Sequence, residues 1–461
     1  MSEAKCETTN TETDCTRRNF LAGSGVLMAA GAMALGGTAI SGLALPRGVH
    51  AAGDETIQIA LVGAGGRGCG AAANALSTAG PVKLVAVADI FEGRLSGIGL
   101  RFADEFGDRV DLPPERFFLG FDGYRKAIDC LRPGDVVLLA TPPVFRPLHV
   151  EYAVSRGVHV FMEKPFATDA PGTRRIQAAA KLADETGVKI ACGLMWRHCA
   201  AREALVERVR DGELGELLHI RGFRMHGFGG RQPEQGEPDL SYQLRCFHEF
   251  DWSGANVFID FCIHNIDSAC WAKGAWPVSC IGLCGRSKPD LPGQMCDTYY
   301  HEFTFADGSH LTSHGLYAPG GFSMYSDFLH GTKGSAVLMD SLSAAKCRSY
   351  RGQVMTPENL AWSFDQQEPN PYQVEHDLFF DAIRRGIPYN EGHRAAEANF
   401  ASLLGRAATY SGQIVTWDQI VKSELSLCPN VDSLSWESDA PVKRGPDGVW
   451  PHPVPGQTVI F

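Results

Sequence analysis

Lys164, Asp260 and His264 are the residues of this sequence best suited to acid–base chemistry. Lys164 stands between Glu163 and Pro165, directly after the apolar run 158–162, and the proline limits it to extended backbone. A lysine held there can donate to an oxygen on which negative charge develops. Asp260 and His264 are four residues apart, and Ile263, Ile266 and Trp271 predict a helix starting near Asp260, so the two side chains share a face. Histidine can take a hydroxyl proton near neutral pH, and an aspartate can orient it. A histidine on an apolar helix is more often a core residue, and the upstream lysine is what favours catalysis. His226, His248, His264 and Asp267 match no standard ligand spacing, so no metal is expected.

The elements that must position these groups begin with the β-branched run Ile57 to Val62, followed by Gly63-Ala64-Gly65-Gly66-Arg67-Gly68 and an alanine-rich helix from about Gly70 to Leu76. A strand, a tight glycine turn and a helix N-terminus set backbone N–H groups and the helix dipole against a pyrophosphate. The next strand, Lys83 to Ala88, ends at Asp89, 21 residues past Gly68, where a carboxylate would accept from ribose hydroxyls and repel a 2′-phosphate. NAD is therefore expected and NADP disfavoured. A further strand, Val136 to Ala140, runs into Thr141-Pro142-Pro143, at the sheet end that faces a nicotinamide. Gly63, Gly65, Arg67, Gly68, Asp89, Thr141, Pro142 and Glu163 are the cofactor-binding candidates.

The chain has 461 residues, a net charge of −11 and 14 cysteines, none in a CxxC pair. The acidic balance argues against a nucleic-acid partner. Thr16-Arg17-Arg18-Asn19-Phe20-Leu21, then an uncharged Ala/Gly/Leu stretch to Leu45 and Val49-His50-Ala51, reads as a cleavable twin-arginine export signal. The expected partner is the twin-arginine translocation machinery, the expected location periplasmic or otherwise exported, with no stable membrane anchor after cleavage. Export of a folded, reduced chain fits buried thiols better than a disulfide framework.

These pieces resemble the family of glucose–fructose oxidoreductase, inositol dehydrogenase and rhizopine-catabolism proteins (Gfo/Idh/MocA). The likeness rests on the glycine loop, Glu163-Lys164-Pro165, Gly193-Leu194-Met195-Trp196-Arg197, the Asp260/His264 pair and the turn Gly331-Thr332-Lys333-Gly334-Ser335. It implies an α/β architecture: an N-terminal Rossmann doubly wound parallel sheet, then a C-terminal α/β domain on an open, mainly antiparallel sheet, with the active site between them. The expected layout is a signal over 1–51, the NAD(P)-binding domain over 54–175, a substrate and oligomerisation domain over 176–428, and an extended proline-rich tail over 429–461. The resemblance also implies His264 as general base, Lys164 as donor on the oxyanion side, Asp260 as orienting or substrate-binding carboxylate, substrate contacts at Trp196 and Arg197, and a homo-oligomer. The longer segment 142–148 departs from the family pattern and puts a role for His149 in doubt.

The second half fits that layout. Residues 297–305 and 309–316 alternate around Asp307-Gly308, a hairpin signal, and 201–210 and 373–385 carry helical spacing. Gly222 to Ser253 reads as a long functional loop in which Trp252 could stack on a sugar face and Arg224 or Arg245 could hold hydroxyls or a carboxylate. The expected activity is an exported oxidoreductase moving hydride between a sugar or polyol and a tightly bound nicotinamide cofactor. The alternative is a redox-neutral, NAD-dependent glycoside hydrolase.

Overall fold

The computed structural model describes residues 55–340 and 346–460, so the export signal lies outside the described residues. Six strands, β1 (Ile57–Val62), β2 (Val82–Asp89), β3 (Phe117–Leu119), β4 (Val136–Leu139), β5 (His159–Met162) and β6 (Ile190–Cys192), form one sheet in the order β3-β2-β1-β4-β5-β6. All pairings are parallel. The central strands are continuous apolar runs because helices cover both faces of such a sheet. The sheet continues through β6, past the boundary expected at residue 175. A three-residue strand carries too short a pattern to be read from sequence.

Nine further strands form the second sheet: β7 (Leu217–Met225), β8 (Ser279–Gly285), β9 (Thr298–Thr304), β10 (His310–Leu316), β11 (Met324–Gly331), β12 (Gly334–Met339), β13 (Arg348–Arg351), β14 (Leu360–Ser363) and β15 (Val415–Thr416). Their order is β14-β13-β12-β11-β7-β10-β9-β8-β15, antiparallel except for β7 beside β10. The β9–β10 hairpin turns at Gly308, whose φ of +82° a side chain would resist. Buried and half-exposed residues alternate along β9, since one face is packed and the other is open. Helices Asn256–Lys273 and Gly392–Ser411 cover the packed face; apolar residues from both join those of the strands in one core.

Two long-range returns tie the chain together. Helix Pro371–Arg385 places Phe379, Phe380 and Ile383 in the core beneath the parallel sheet, with Ile59, Leu61 and Leu138. Asn74 and Gln373 hold that helix to the glycine-loop helix, the Asn74 amide donating to Gln373 Oε1 at 3.0 Å. The C-terminal tail lies against its own chain. Trp450 packs on Tyr242, Gln243 donates to the Val442 carbonyl at 2.6 Å, and the Gly456 amide donates to the Ser411 carbonyl at 2.8 Å. The stretch expected as one long loop, 222–253, contains the end of β7, helix Asp239–Arg245 and a helical turn at Phe247–Glu249. Its glycines and charges hid elements too short to show a period. No helix among the described residues is long and apolar enough to cross a membrane.

Candidate active site

The glycine loop joins β1 to helix Gly66–Leu76, which begins at the loop rather than at Gly70. A Cβ on Gly63 would lie 2.7 Å from the Ala140 carbonyl carbon, and one on Gly68 would lie 1.9 Å from the Gly63 carbonyl oxygen. These two glycines let the helix close onto the sheet. Gly66 faces open space instead and a Cβ on Gly65 would come only to 4.0 Å from Arg94 Nη1, while no side chain caps the helix and no acid sits in its first turn. The amides at that N-terminus are thus left for an anion.

Beside the loop is a cleft lined among others by Gly63, Asp89, Arg94, Thr141 and Pro142. Asp89 ends β2, accepting from the Ala64 amide at 2.8 Å and the Phe91 amide at 2.9 Å, with Arg94 Nη1 at 3.6 Å. The loop, the uncapped helix and the oriented carboxylate fit a dinucleotide. Trp436 of the tail packs on two of the rings that line this cleft, 5.7 Å from Phe91 and 5.1 Å from Phe121 between ring centroids. His149 is buried against Tyr124, and burial pushes its imidazole down to about 3, so it is a neutral packing group.

Arg67 and Glu163 meet each other, Nε to Oε1 at 2.5 Å, and Arg67 also lies 3.8 Å from Glu375 and over the Tyr372 ring. Burial and the neighbouring Glu163 raise the Glu375 carboxyl well above its ordinary range. Gly193 is small because a Cβ there would lie 2.6 Å from Glu163 Oε2. Sequence reading missed Glu375, which lies more than two hundred residues from Glu163 and more than three hundred from Arg67.

Lys164 follows, joined to Pro165 by a cis peptide bond. Its ammonium donates to the Asp260 carbonyl at 2.8 Å and to Asp260 Oδ1 at 2.9 Å. Asp260 sits in the second turn of helix Asn256–Lys273, which starts one turn earlier than its apolar spacing indicated. Asn256 caps it by accepting from the Ile259 amide at 3.0 Å, and apolar residues all round its first turns mask the period. Burial would raise the Asp260 carboxyl, but Lys164 and then His248 override this and hold it below its usual value. His248 Nδ1 lies 3.4 Å from Asp260 Oδ2, a contact no sequence signal announced.

One turn further on, His264 is buried with Nδ1 unpartnered and its ring 4.8 Å from Trp196. Burial, then Lys164 and Arg224, push its pKa well below the ordinary value, so the imidazole is neutral. Arg224 and His226, both contributed by β7 and its exit, lie beside Phe261. Lys164, Asp260 and His264 thus converge from two parts of the chain into one cluster.

Two expected substrate contacts are corrected. Arg197 forms a bidentate pair with Asp267 at 2.8 and 2.7 Å, which occupies its fork. Trp252 is 1% exposed, donates to Gln243 Oε1 at 2.7 Å and packs in the cluster with Tyr242, Phe250 and Trp450. In both cases the partner that claims the side chain could not be read from the residue's own neighbourhood. Arg245 is likewise held by Glu237 at 2.7 and 2.5 Å. Trp196 is buried between His264 and Tyr325, as a wall rather than an exposed platform.

A family model described as the oxidoreductase family with an NAD-binding Rossmann fold matches residues 57–194, and a model of the GFO/IDH/MocA C-terminal domain matches 203–337. Among curated relatives, the chain is 28% identical to scyllo-inositol 2-dehydrogenase (NAD(+)) of Bacillus subtilis, over 50% of this chain and 57% of that protein. It is 30% identical to inositol 2-dehydrogenase of Rubrobacter xylanophilus, over 55% of this chain and 63% of that one. The matches therefore span less than two thirds of either relative. Among solved structures, aldose–aldose oxidoreductase from Caulobacter crescentus, complexed with glycerol, superposes with a TM-score of 0.60 at 18% identity, covering 78% of this chain and all of that one. Scyllo-inositol dehydrogenase from Lactobacillus casei, with bound NAD(H) and scyllo-inositol, gives 0.58 at 20% identity, covering 79% and 100%. The comparisons give the glycoside-hydrolase alternative no support. With the two models together matching more than half of the chain, and a parallel sheet joined to a mixed one, the chain belongs to the Gfo/Idh/MocA family of oxidoreductases.

Proposed function

We propose that this chain oxidises a sugar or polyol alcohol, or reduces the matching carbonyl, with NAD as its cofactor. The observation that carries the reading is the contact of Lys164 with Asp260 at 2.8 and 2.9 Å, one helical turn from a neutral, buried His264. NAD, when bound, supplies the hydride acceptor. Gly63, Gly65, Gly68 and the helix behind them would hold its pyrophosphate, and Asp89 its adenosine ribose; the carboxylate supports NAD over NADP despite Arg94 nearby. His264 takes the hydroxyl proton. Lys164 spends two of its three N–H donors on Asp260 and keeps one for the substrate oxygen. Asp260 fixes that ammonium and takes His248 as a second partner. The test is NADH absorbance with purified protein and a panel of inositols and sugars; Lys164→Met and His264→Asn should abolish the signal, and a signal unchanged by either ends the proposal.

The arginine pair Arg17-Arg18, with a tail that packs on rings lining the cleft, supports a finer reading: the folded chain leaves the cytoplasm through the twin-arginine pathway with its cofactor inside. A second, carbonyl-bearing sugar then accepts the hydride back, so turnover needs no added NAD and follows ping-pong kinetics. Denaturing the purified protein and identifying the released nucleotide checks this, and a need for fresh NAD in every cycle counts against it. Association of copies into a homo-oligomer remains part of this reading, with the open face of the second sheet as the surface.

A further inference from the structure

Arg224 projects from β7 and is 8% exposed, yet makes no hydrogen bond or ion pair among the described residues. Its Nε and Nη1 atoms are sealed from solvent without an acceptor. The guanidinium lies 3.4 Å above the Tyr325 ring and 5.1 Å from that of Phe261. Those rings belong to the site itself: Phe261 also has the Lys164 ammonium 6.0 Å from its centre, and Tyr325 packs edge-on against Trp196, which stacks on His264.

Of the other cations of this region three have a carboxylate partner, and Arg202, whose Nε is also unpartnered, has a thiol. Lys164 has Asp260, Arg197 has Asp267, Arg245 has Glu237, and Arg202 donates to Cys199 at 2.8 Å while lying over Trp196. Of the two acids that act on it, Asp260 is held between Lys164 and His248, and Asp327, bonded to Asn265, is driven by burial towards its neutral form. A buried guanidinium with unpaired donors is costly, and a neutral polyol cannot supply the missing charge. A carboxylate can, because its two oxygens match the planar edge of the fork while the ring stacking stays in place.

We infer that the substrate is a carboxylated sugar, a uronic or aldonic acid, whose carboxylate is held by Arg224 while one of its hydroxyls faces Lys164 and His264. The inference rests on the oxidoreductase reading for the second half of that statement and on Arg224 alone for the first. The anion also offsets a positive charge that would otherwise oppose protonation of His264 during the reaction.

The test is calorimetric titration of the cofactor-loaded protein with matched pairs, glucose against glucuronate and galactose against galacturonate, with glucose 6-phosphate as a third probe. NADH formation is followed on the same compounds. At least one acid should bind about tenfold or more tightly than its neutral partner, and Arg224→Gln should weaken that acid about 30-fold or more while changing the neutral sugar less than about threefold. Arg224→Lys keeps the charge without the fork and should retain part of the preference, which decides the matter should Arg224→Gln not fold. Equal binding of acid and neutral sugar, absence of binding by either acid, a preference for the phosphate, or equal losses on both members of a pair in Arg224→Gln overturns the inference. Preferential acid binding with no turnover of any compound would leave the carboxylate assignment standing and remove the oxidoreductase reading; turnover without preference would do the reverse.

Discussion

On the dinucleotide side the charges are settled within the chain: Asp89 accepts from two backbone amides beside Arg94, and Arg67 is bonded to Glu163. On the alcohol side they are not, for Arg224 lacks a counter-ion and His264 Nδ1 lacks a partner. In the first arrangement the charged side chains already have partners of opposite sign, and the uncapped backbone amides of the glycine-loop helix are what wait for an anion. The second is an incomplete electrostatic set that its occupant finishes, so perturbing the first should alter retention and perturbing the second should alter turnover.

The largest separation should come from Lys164→Met and His264→Asn. Losing a donor beside the reacting oxygen costs about 100- to 1,000-fold in kcat, and losing a general base about 100- to 10,000-fold, with nucleotide content unchanged on denaturation. Loss of bound nucleotide in either variant would erase the distinction between the two sides. Because burial, Lys164 and Arg224 keep His264 deprotonated well below its ordinary pKa, kcat/KM should show no acid limb near pH 6.5. A half-maximal point there, in a pH series, would assign the proton to another group.

Asp89→Asn should act in the opposite sense, weakening NAD relative to NADP by about 10- to 100-fold, the worth of a charge-assisted hydrogen bond, while the rate of the loaded protein is preserved. Competition binding of the two nucleotides measures it, and an unchanged ratio would remove Asp89 from the ribose. Trp436→Ala, which removes the ring that buttresses Phe91 and Phe121 in the cleft wall, should speed cofactor release roughly tenfold in a stopped-flow displacement experiment.

The smallest effect concerns stability. Asp327 is fully buried with Oδ2 unpartnered, the one hydrogen bond to its side chain among the described residues coming from Asn265 at 2.8 Å, and burial raises its pKa from 3.8 to about 7. The folded state therefore binds this proton more tightly than the unfolded one, and stability from this group falls as pH rises from about 4 to 7. Asp327→Asn should gain on the order of 1–2 kcal/mol more at pH 8 than at pH 5, read as a larger rise in melting temperature at the higher pH. Equal shifts at both values would mean that the carboxyl is not protonated.

The same contrast governs what was legible in the sequence. Residues 57–89 form strand, turn, helix, strand and acid in one stretch, so periodicity and spacing alone locate them. The four-residue interval of Asp260 and His264 was equally visible, as was the hairpin at Gly308. Arg197 and Arg224 show the limit. Both are arginines beside apolar segments, yet one is claimed by Asp267, seventy residues away, and the other by no acid or acceptor among the described residues. Trp252 looked like a sugar platform until the tail, two hundred residues on, was seen to pack in its cluster. Tertiary partners at such separations leave no trace in local pattern.

Helix Pro371–Arg385 has a consequence for synthesis. Phe379, Phe380 and Ile383 fill the face beneath the parallel sheet, so a nascent chain that has emerged only as far as β6 carries Ile59, Leu61 and Leu138 without their cover. Helix Gly66–Leu76 supplies only part of that cover, so the nucleotide-binding half is completed after residue 385 has been made, and a truncated product would expose an oily surface to chaperones rather than act as a smaller working unit.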